Sequence, residues 1–361
     1  MEPLKEMFDQ SYYEQLSKVC EQVIPHFDRK HFLKKCLHHL DTRSLNERLR
    51  HTSQVLFEHL SGNSKKDFQL IKKIAFQMPT GYTSLVYPDF ISQFGMSEFD
   101  LSMQYLAELT SLGSSEFAVR HFLRADFERA LIHLKHWAKQ DNHHVRRLSS
   151  ESCRPRLPWS FKLDAVVRAP QLTRPILDHL KKDESLYVRK SVANHINDFS
   201  KDHPKYVIDL VKEWKGQHTH TDWIIQRACR TLIKKGEPDL LKVMGVKTGV
   251  EVKLSNFKIL NTPIQLGEDL AFSFDLDSVS KRNERLIVDY VIDYCRPENR
   301  TSSKVFKLKT FDIHPGEKLM IQKKQTMKDF STRKHFAGKH QLSIQVNGKI
   351  LAKKIFDLQV D

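Results

Sequence analysis

The chain has 361 residues, 40% of them hydrophobic, with 59 Lys and Arg against 44 Asp and Glu and a formal net charge of +15. That length suggests two domains of ordinary size, and the apolar share is enough for real cores, which excludes a disordered chain. The charge favours a polyanionic partner, nucleic acid first and an anionic membrane surface second, and decides nothing about fold.

The N-terminal stretch MEPLKEMFDQSYYEQL mixes charges and lacks an apolar core segment, so it does not read as a signal peptide. No run of about 18 apolar residues marks a transmembrane helix. The five cysteines, Cys20, Cys36, Cys153, Cys229 and Cys295, are scattered without a CxxC pair and read as reduced thiols of a cytosolic protein. Up to about Gly245 the apolar residues follow a helical period, as in Leu106, Leu109, Phe117 and Val119, then Leu131, Leu134 and Trp137.

This helical half repeats itself. FAVRHFL, HVRRLSS, YVRKSVA and IIQRACR share an apolar residue, an arginine and a small or apolar face, at spacings close to a helix pair. Asp141, Asp183 and Asp222 stand before these helices as candidate N-caps. The pattern predicts a curved stack of helix pairs with a concave surface. Its arginines in register, Arg120, Arg146, Arg147, Arg189 and Arg227, with Arg154 nearby, are candidates for tracking phosphates. A solvated or inter-repeat-bonded face is the alternative for any one of them.

Three acids stand out from this basic background. Glu151 falls at the end of the helix in HHVRRLSSESCRPRLPW, where the helix dipole disfavours an acid. Its bland explanation is a surface ion pair with Arg147 or Arg154. Asp198 occupies a similar place late in SVANHINDF, with Asn194 one turn before it as a candidate to orient it. The next repeat, RTLIKKGEP, ends on Lys234, Lys235 and Gly236, the dipole-compatible way. Glu116 follows Ser114 and Ser115 at a helix start, where an acid merely complements the dipole. Trp159 follows Pro155 and Pro158 and reads either as a core anchor or as part of a site tied to the Glu151 helix.

From Val246 onward the period changes to two. Leu270, Phe272, Phe274 and Leu276 alternate with Ala271, Ser273, Asp275 and Asp277, and RLIVDYVIDYC behaves likewise. QLSIQVNGKILAKKIF reads as a hairpin turning at Asn347-Gly348. About seven short strands predict an antiparallel β-sandwich over 246–361, after a helical domain over 1–245, with the linker near KVMGVKTGV. The stretch KKQTMKDFSTRKHFAGKH carries Lys323, Lys324, Lys328, Arg333, Lys334 and Lys339 against Asp329. It reads as a loop-rich edge that adds phosphate contacts, with a merely solvated loop as the alternative. The pairs His38-His39 and His143-His144, and the HTH run from His218 to His220, lack ligand spacing with acids or cysteines, so no metal site is expected.

EPLKEMF, SSEFAVRHFL, HVRRLSSESCRPRLPW and YVRKSVANHINDFSKDHP together resemble the AlkC group of DNA alkylation repair glycosylases, across the whole helical half. The resemblance implies an all-α HEAT-like repeat solenoid followed by an all-β immunoglobulin-like sandwich. It implies a DNA glycosylase that excises cationic alkylated bases such as 3-methyladenine, in some members also 3-methylcytosine and 1-methyladenine, without a metal or cofactor. Double-stranded DNA is then the partner, with no membrane, and a cytoplasmic, nucleoid-associated monomer is expected. Glu116, Glu151 and Asp198 become the catalytic candidates, and Trp159 and Asn194 the lesion-contacting ones. The competing expectation is a noncatalytic helical-repeat scaffold for DNA or a protein. It needs the arginines but not the acids, so acids turned inward speak for an enzyme and acids turned outward for a binder.

Overall fold

The computed structural model describes residues 3–247, 249, 251–298, 300–330 and 333–360. Among them the chain is helical up to Val243 and sheet from Val252 on. Thr248 and Val250 of the expected linker, and Ser331 and Thr332 of the basic stretch, lie outside the described residues. The chain divides into two compact units. One is Met1–His203 with Trp214–Ala228, the other Pro204–Glu213 with Cys229–Asp361.

In the first unit six helices form a row, each against the next: Leu45–Phe57, Val86–Phe94, Glu116–Ala125, His143–Ser152, Leu186–Phe199 and Thr219–Ala228. Helices Ser64–Ala75, Phe99–Leu109, Phe127–Trp137 and Arg174–Leu180 form a second row behind the first. Side chains such as Phe90, Phe122, Leu148, Val192 and Ile196 are fully buried there. The helix starts differ from the expected caps. Asn142, not Asp141, caps His143–Ser152 by accepting from the His144 amide at 2.9 Å. Asp183 accepts from the Ser185 amide at 2.8 Å and pairs with Arg146, while Ser185 holds the cap position. Asp222 lies inside Thr219–Ala228 and accepts from the Gly216 amide at 2.9 Å.

The second unit is a two-sheet sandwich. Its strands are β1 (Val252–Ile259), β2 (Ile264–Gln265), β3 (Asp269–Ser278), β4 (Glu284–Cys295), β5 (Thr301–Ile313), β6 (Lys318–Thr326), β7 (Gly338–Val346) and β8 (Lys349–Gln359). One sheet runs β1-β3-β6 and the other β2-β8-β7-β4-β5. Leu270, Phe272, Phe274 and Leu276 of β3 all enter the core, facing Val288, Tyr290 and Ile292 of β4 and Leu342 and Ile344 of β7. The alternation does this work, since every second strand residue points to the same face. Asn347 and Gly348 have φ of 48° and 81°, the double positive-φ turn that Asn-Gly favours between two strands.

Helices Arg230–Lys235 and Pro238–Val243 belong to this unit by contact. Leu241, Val246 and Ile287 form a small cluster, and the Gln345 side chain donates to the Lys234 carbonyl at 3.2 Å. Gly236, at φ 69°, meets Gly348 so closely that a β-carbon on Gly348 would collide with the Gly236 Cα. The change of hydrophobic period near 245 and the division by compactness therefore fall at different places in the chain.

Candidate active site

Glu116, Glu151 and Asp198 stand on three successive helices of the first row: Glu116–Ala125, His143–Ser152 and Leu186–Phe199. All three turn inward, with exposures of 7%, 6% and 8%. Two arginines join them. Arg147 Nη1 donates to Glu116 Oε2 at 3.0 Å and to Ser114 Oγ at 2.7 Å, while its Nη2 lies 3.6 Å from Glu151 Oε1. Arg154 Nη1 donates to Glu151 Oε1 at 2.7 Å, and its Nε and Nη2 grip both oxygens of Asp198 at 2.9 and 3.2 Å. The ion pairs expected as a bland surface explanation for Glu151 do exist. They are buried, and they continue into a network spanning three helices.

Burial pushes the Glu116 carboxyl above its ordinary range, against the pull of Arg147. Asp198 is likewise raised by burial, with Arg154 opposing. Burial also works against the charge on Arg147 and Arg154, but the carboxylates beside them outweigh it and both guanidiniums hold their protons more tightly than usual. The five paired groups carry one net negative charge. A buried site of this sign is complementary to a positive charge that appears beside it, and low local polarity strengthens the attraction.

Residues unmarked in the sequence hold the site in place. Ser191 Oγ donates to Glu151 Oε2 at 2.6 Å. Tyr187 lies under Arg147, with the guanidinium 5.0 Å from the ring centre. His195 is fully buried and bridges the two helices, with Nδ1 3.0 Å from the Ser150 carbonyl and Nε2 3.2 Å from Thr173 Oγ1. Burial pushes its pKa down to about 3, so the ring is neutral. Counting back from Asp198 by helical turns reaches Asn194 or His195, then Ser191 and Tyr187. That periodic signal was available in the sequence. Asn194 is half-buried on this helix, and Arg154 grips the Asp198 carboxylate.

Several arginines expected on phosphates are engaged by groups of the protein itself. Arg120 is fully buried and donates to the carbonyls of Ser152, Arg154 and Phe161, fastening the loop after the Glu151 helix. Arg154 is buried between two carboxylates, and Arg147 is in the same network. Arg146 pairs with Asp183 at 2.6 Å and donates to the carbonyls of Gln140 and Asp141. Arg189 donates to the carbonyls of Asp183 and Glu184. The Arg146–Asp183 pair is the inter-repeat bonding that the sequence left open, while Arg189 bonds the turn before its own helix. Arg227 is exposed, near the Trp223 ring.

Trp159 is 75% exposed, with φ of 64° in the left-handed region, so it is not a core anchor. Lys323 and Lys324 are exposed on strand β6 rather than in a loop. Lys334 is exposed, while Arg333 is half-buried 5.0 Å from the Tyr294 ring centre. Among the described residues no group of His, Cys, Asp or Glu could hold a metal ion, and no helix is long and apolar enough to cross a membrane.

The chain resembles known proteins along its full length. Residues 253–360 match the family model described as Uncharacterised protein YhaZ, C-terminal Ig-like domain. The whole chain is 36% identical over 361 residues to the uncharacterized protein YhaZ of Bacillus subtilis (strain 168), covering 100% of both. A solved structure, Pseudomonas fluorescens alkylpurine DNA glycosylase AlkC bound to DNA containing an abasic site analog, superposes with a TM-score of 0.96 at 40% identity. The match covers 99% of this chain and 100% of that one.

Proposed function

Because the chain belongs to the AlkC group of DNA glycosylases, we propose that it hydrolyses the N-glycosidic bond of cationic alkylated bases in double-stranded DNA, as a monofunctional enzyme of base excision repair. 3-Methyladenine is the first substrate, with 3-methylcytosine and 1-methyladenine as further candidates. The observation that carries the reading is the buried network of Glu116, Glu151 and Asp198 around Arg147 and Arg154.

The chemistry follows from the sign of that network. Alkylation at a ring nitrogen makes the base cationic, so it leaves without strong help from an acid. The C1′–N bond breaks with its electron pair going to the base, which departs neutral, and positive charge moves onto the sugar. Water then bonds to C1′ and gives up a proton. A fixed carboxylate near C1′ stabilises the oxocarbenium-like state, an effect worth several kcal/mol, on the order of a hundredfold or more in rate. Glu151 is the best-held of the three, fixed from two sides by Arg154 and Ser191. The three acids act as a unit, since Arg154 ties Glu151 to Asp198 and Arg147 ties Glu151 to Glu116. Trp159, exposed in a strained conformation, offers a plane to the cationic base, a contact worth roughly 0.5–2 kcal/mol.

Arg227, Lys323, Lys324 and Lys334 remain the exposed candidates for phosphates. The protein works as a monomer in the cytoplasm, at the nucleoid where its substrate lies. The scaffold reading is disfavoured because all three acids turn inward. The test is release of free base from methylated duplex DNA by the purified protein, followed by chromatography. 3-Methyladenine should appear without strand cleavage. No released base at a molar excess of protein over lesions would refute the proposal.

A further inference from the structure

A cleft of about 360 Å³ opens in the first unit beside the acid network. The helices Leu45–Phe57, Val86–Phe94 and Glu116–Ala125 and the loop carrying Trp159 enclose it. Tyr82, Phe117, Phe161 and Trp159 supply aromatic surface, and Asp89 and His121 supply polar groups. Ser114 also lines the cleft and accepts the hydrogen bond from Arg147, so the cleft and the acid network share a wall.

The walls are built rather than incidental. Phe161 is fixed through its carbonyl by Arg120, and its ring sits edge-on to His121 at 5.6 Å. The Tyr82 hydroxyl donates to Asn46 Oδ1 at 3.3 Å. Asp89 accepts from Ser53 Oγ and Gln93 Nε2 on Oδ2, both at 2.7 Å, and Arg50 holds Oδ1 at 2.8 Å. This keeps a carboxylate and a guanidinium side by side at the cleft wall. Burial lifts the Asp89 carboxyl and lowers His121, so the imidazole is the neutral form that can both donate and accept.

We propose that this cleft is an exit site that holds the excised purine after cleavage, a planar neutral heterocycle with an exocyclic amino group. The volume lies at the small end of the range for ligand sites, enough for one heterocycle and too little for a nucleotide pair. Aromatic side chains match the faces of a purine. Its edges alternate donors and acceptors. The Asp89 carboxylate and the Asn46 carbonyl can take the amino N–H groups, while Arg50 and His121 can give to ring nitrogens. A neutral base suits this wall better than a cation, because Arg50 stands beside Asp89. The acid network attracts the cation before cleavage, and the cleft takes the neutral product after it.

The assignment rests on the glycosylase reading, yet its test needs no catalysis. Radiolabelled 3-methyladenine is dialysed to equilibrium against the intact protein without DNA. Saturable binding is expected. Leu85→Trp, which fills the cleft, should abolish it, and Tyr82→Ala should weaken it about tenfold, the effect of removing one aromatic ring. Tyr82→Phe keeps the ring and should retain binding, and unchanged melting temperatures would show that the variants are folded. Absence of saturable binding to the wild type, or equal binding by folded Leu85→Trp, overturns the exit site. Base release from methylated DNA is measured separately. Binding without release would refute the glycosylase, and release without binding would refute the exit site alone.

Discussion

The two units solve the problem of an interior in opposite ways. The helical unit buries charge. Glu116, Glu151, Asp198, Arg120 and Arg154 all lie inside it, and Arg147 is nearly so. The sandwich buries apolar side chains from alternating positions, from Leu270 to Leu276 on β3 and from Leu286 to Tyr294 on β4. Burying an ion pair costs desolvation that mutual attraction barely offsets, so a charged network is weak evidence for stability. Three helices that place acids and arginines at the same level therefore point to a requirement other than holding the fold. The sandwich also buries acids on β4: Glu284, 3.6 Å from Lys247, and Asp289, whose Oδ2 is unpartnered.

This contrast can be broken most directly at Arg154. Arg154→Ala leaves the buried Asp198 carboxylate without its guanidinium and Glu151 with Arg147 alone at 3.6 Å, so unfolding free energy should drop by about 3–5 kcal/mol, measured by urea denaturation. A loss below about 1 kcal/mol would mean that water reaches the network freely and that the site is not buried in solution. Glu151→Gln keeps the shape and removes the charge. Single-turnover excision should slow on the order of a hundredfold while DNA binding holds or tightens slightly. An unchanged rate would take Glu151 out of the mechanism. Asp198→Asn should lose about as much, and the double variant little more, if the acids act as a unit.

The sandwich should respond to packing instead. Gly348→Ala places a β-carbon against Gly236 at a positive φ, and about 2 kcal/mol of stability should be lost by calorimetry, with activity per folded molecule intact. A neutral outcome would mean that the Gly236–Gly348 approach relaxes in solution.

Asp289 gives a smaller, pH-dependent effect. Burial lifts its carboxyl from an ordinary value of 3.8 to about 6, with Lys234 and Lys307 opposing. Between those values the folded chain keeps a proton that the unfolded chain has released. Its contribution is therefore fully present below about pH 4 and is lost as pH rises through about 6. Asp289→Asn should flatten that slope and stabilise the protein at pH 7 by on the order of 1 kcal/mol. An identical pH profile in wild type and variant would remove the effect. Smallest is the exposed basic strip. Lys323→Ala with Lys324→Ala should lower the slope of log affinity against log salt by about 0.9 for each phosphate that these lysines neutralise. An unchanged slope would take β6 out of DNA binding.

Much of this was legible in the sequence. The change of period from 3.6 to two separates helices from strands, and Asn347-Gly348 marks its hairpin, because backbone geometry at these positions depends on local sequence. Glu151 and Asp198 were conspicuous as acids at helix ends that the dipole disfavours. The arginines were harder. HVRR and YVRK look alike on a helix surface, yet Arg147 serves the acids, Arg146 bonds the next repeat and Arg189 bonds the turn before its own helix. Nothing in a local pattern says whether a guanidinium finds a phosphate or a carboxylate, since that depends on which helix lies beside it.

The sequence by itself determined the kind of each element, the order of helices and strands, the inward face of β3 and the family. Those follow from side-chain period, turn chemistry and long motifs, all read along the chain. Tertiary structure alone decided that Ser191 fixes Glu151, that His195 ties the helix of Asp198 to that of Glu151, that Arg120 fastens the loop beneath an exposed Trp159, and that Arg230–Lys235 and Pro238–Val243 go with the sandwich. Each of these joins residues far apart in the chain or assigns a helix to a neighbour, and such pairings are set by how helices stack and which side chains lose water together, not by the residues next to them in the chain.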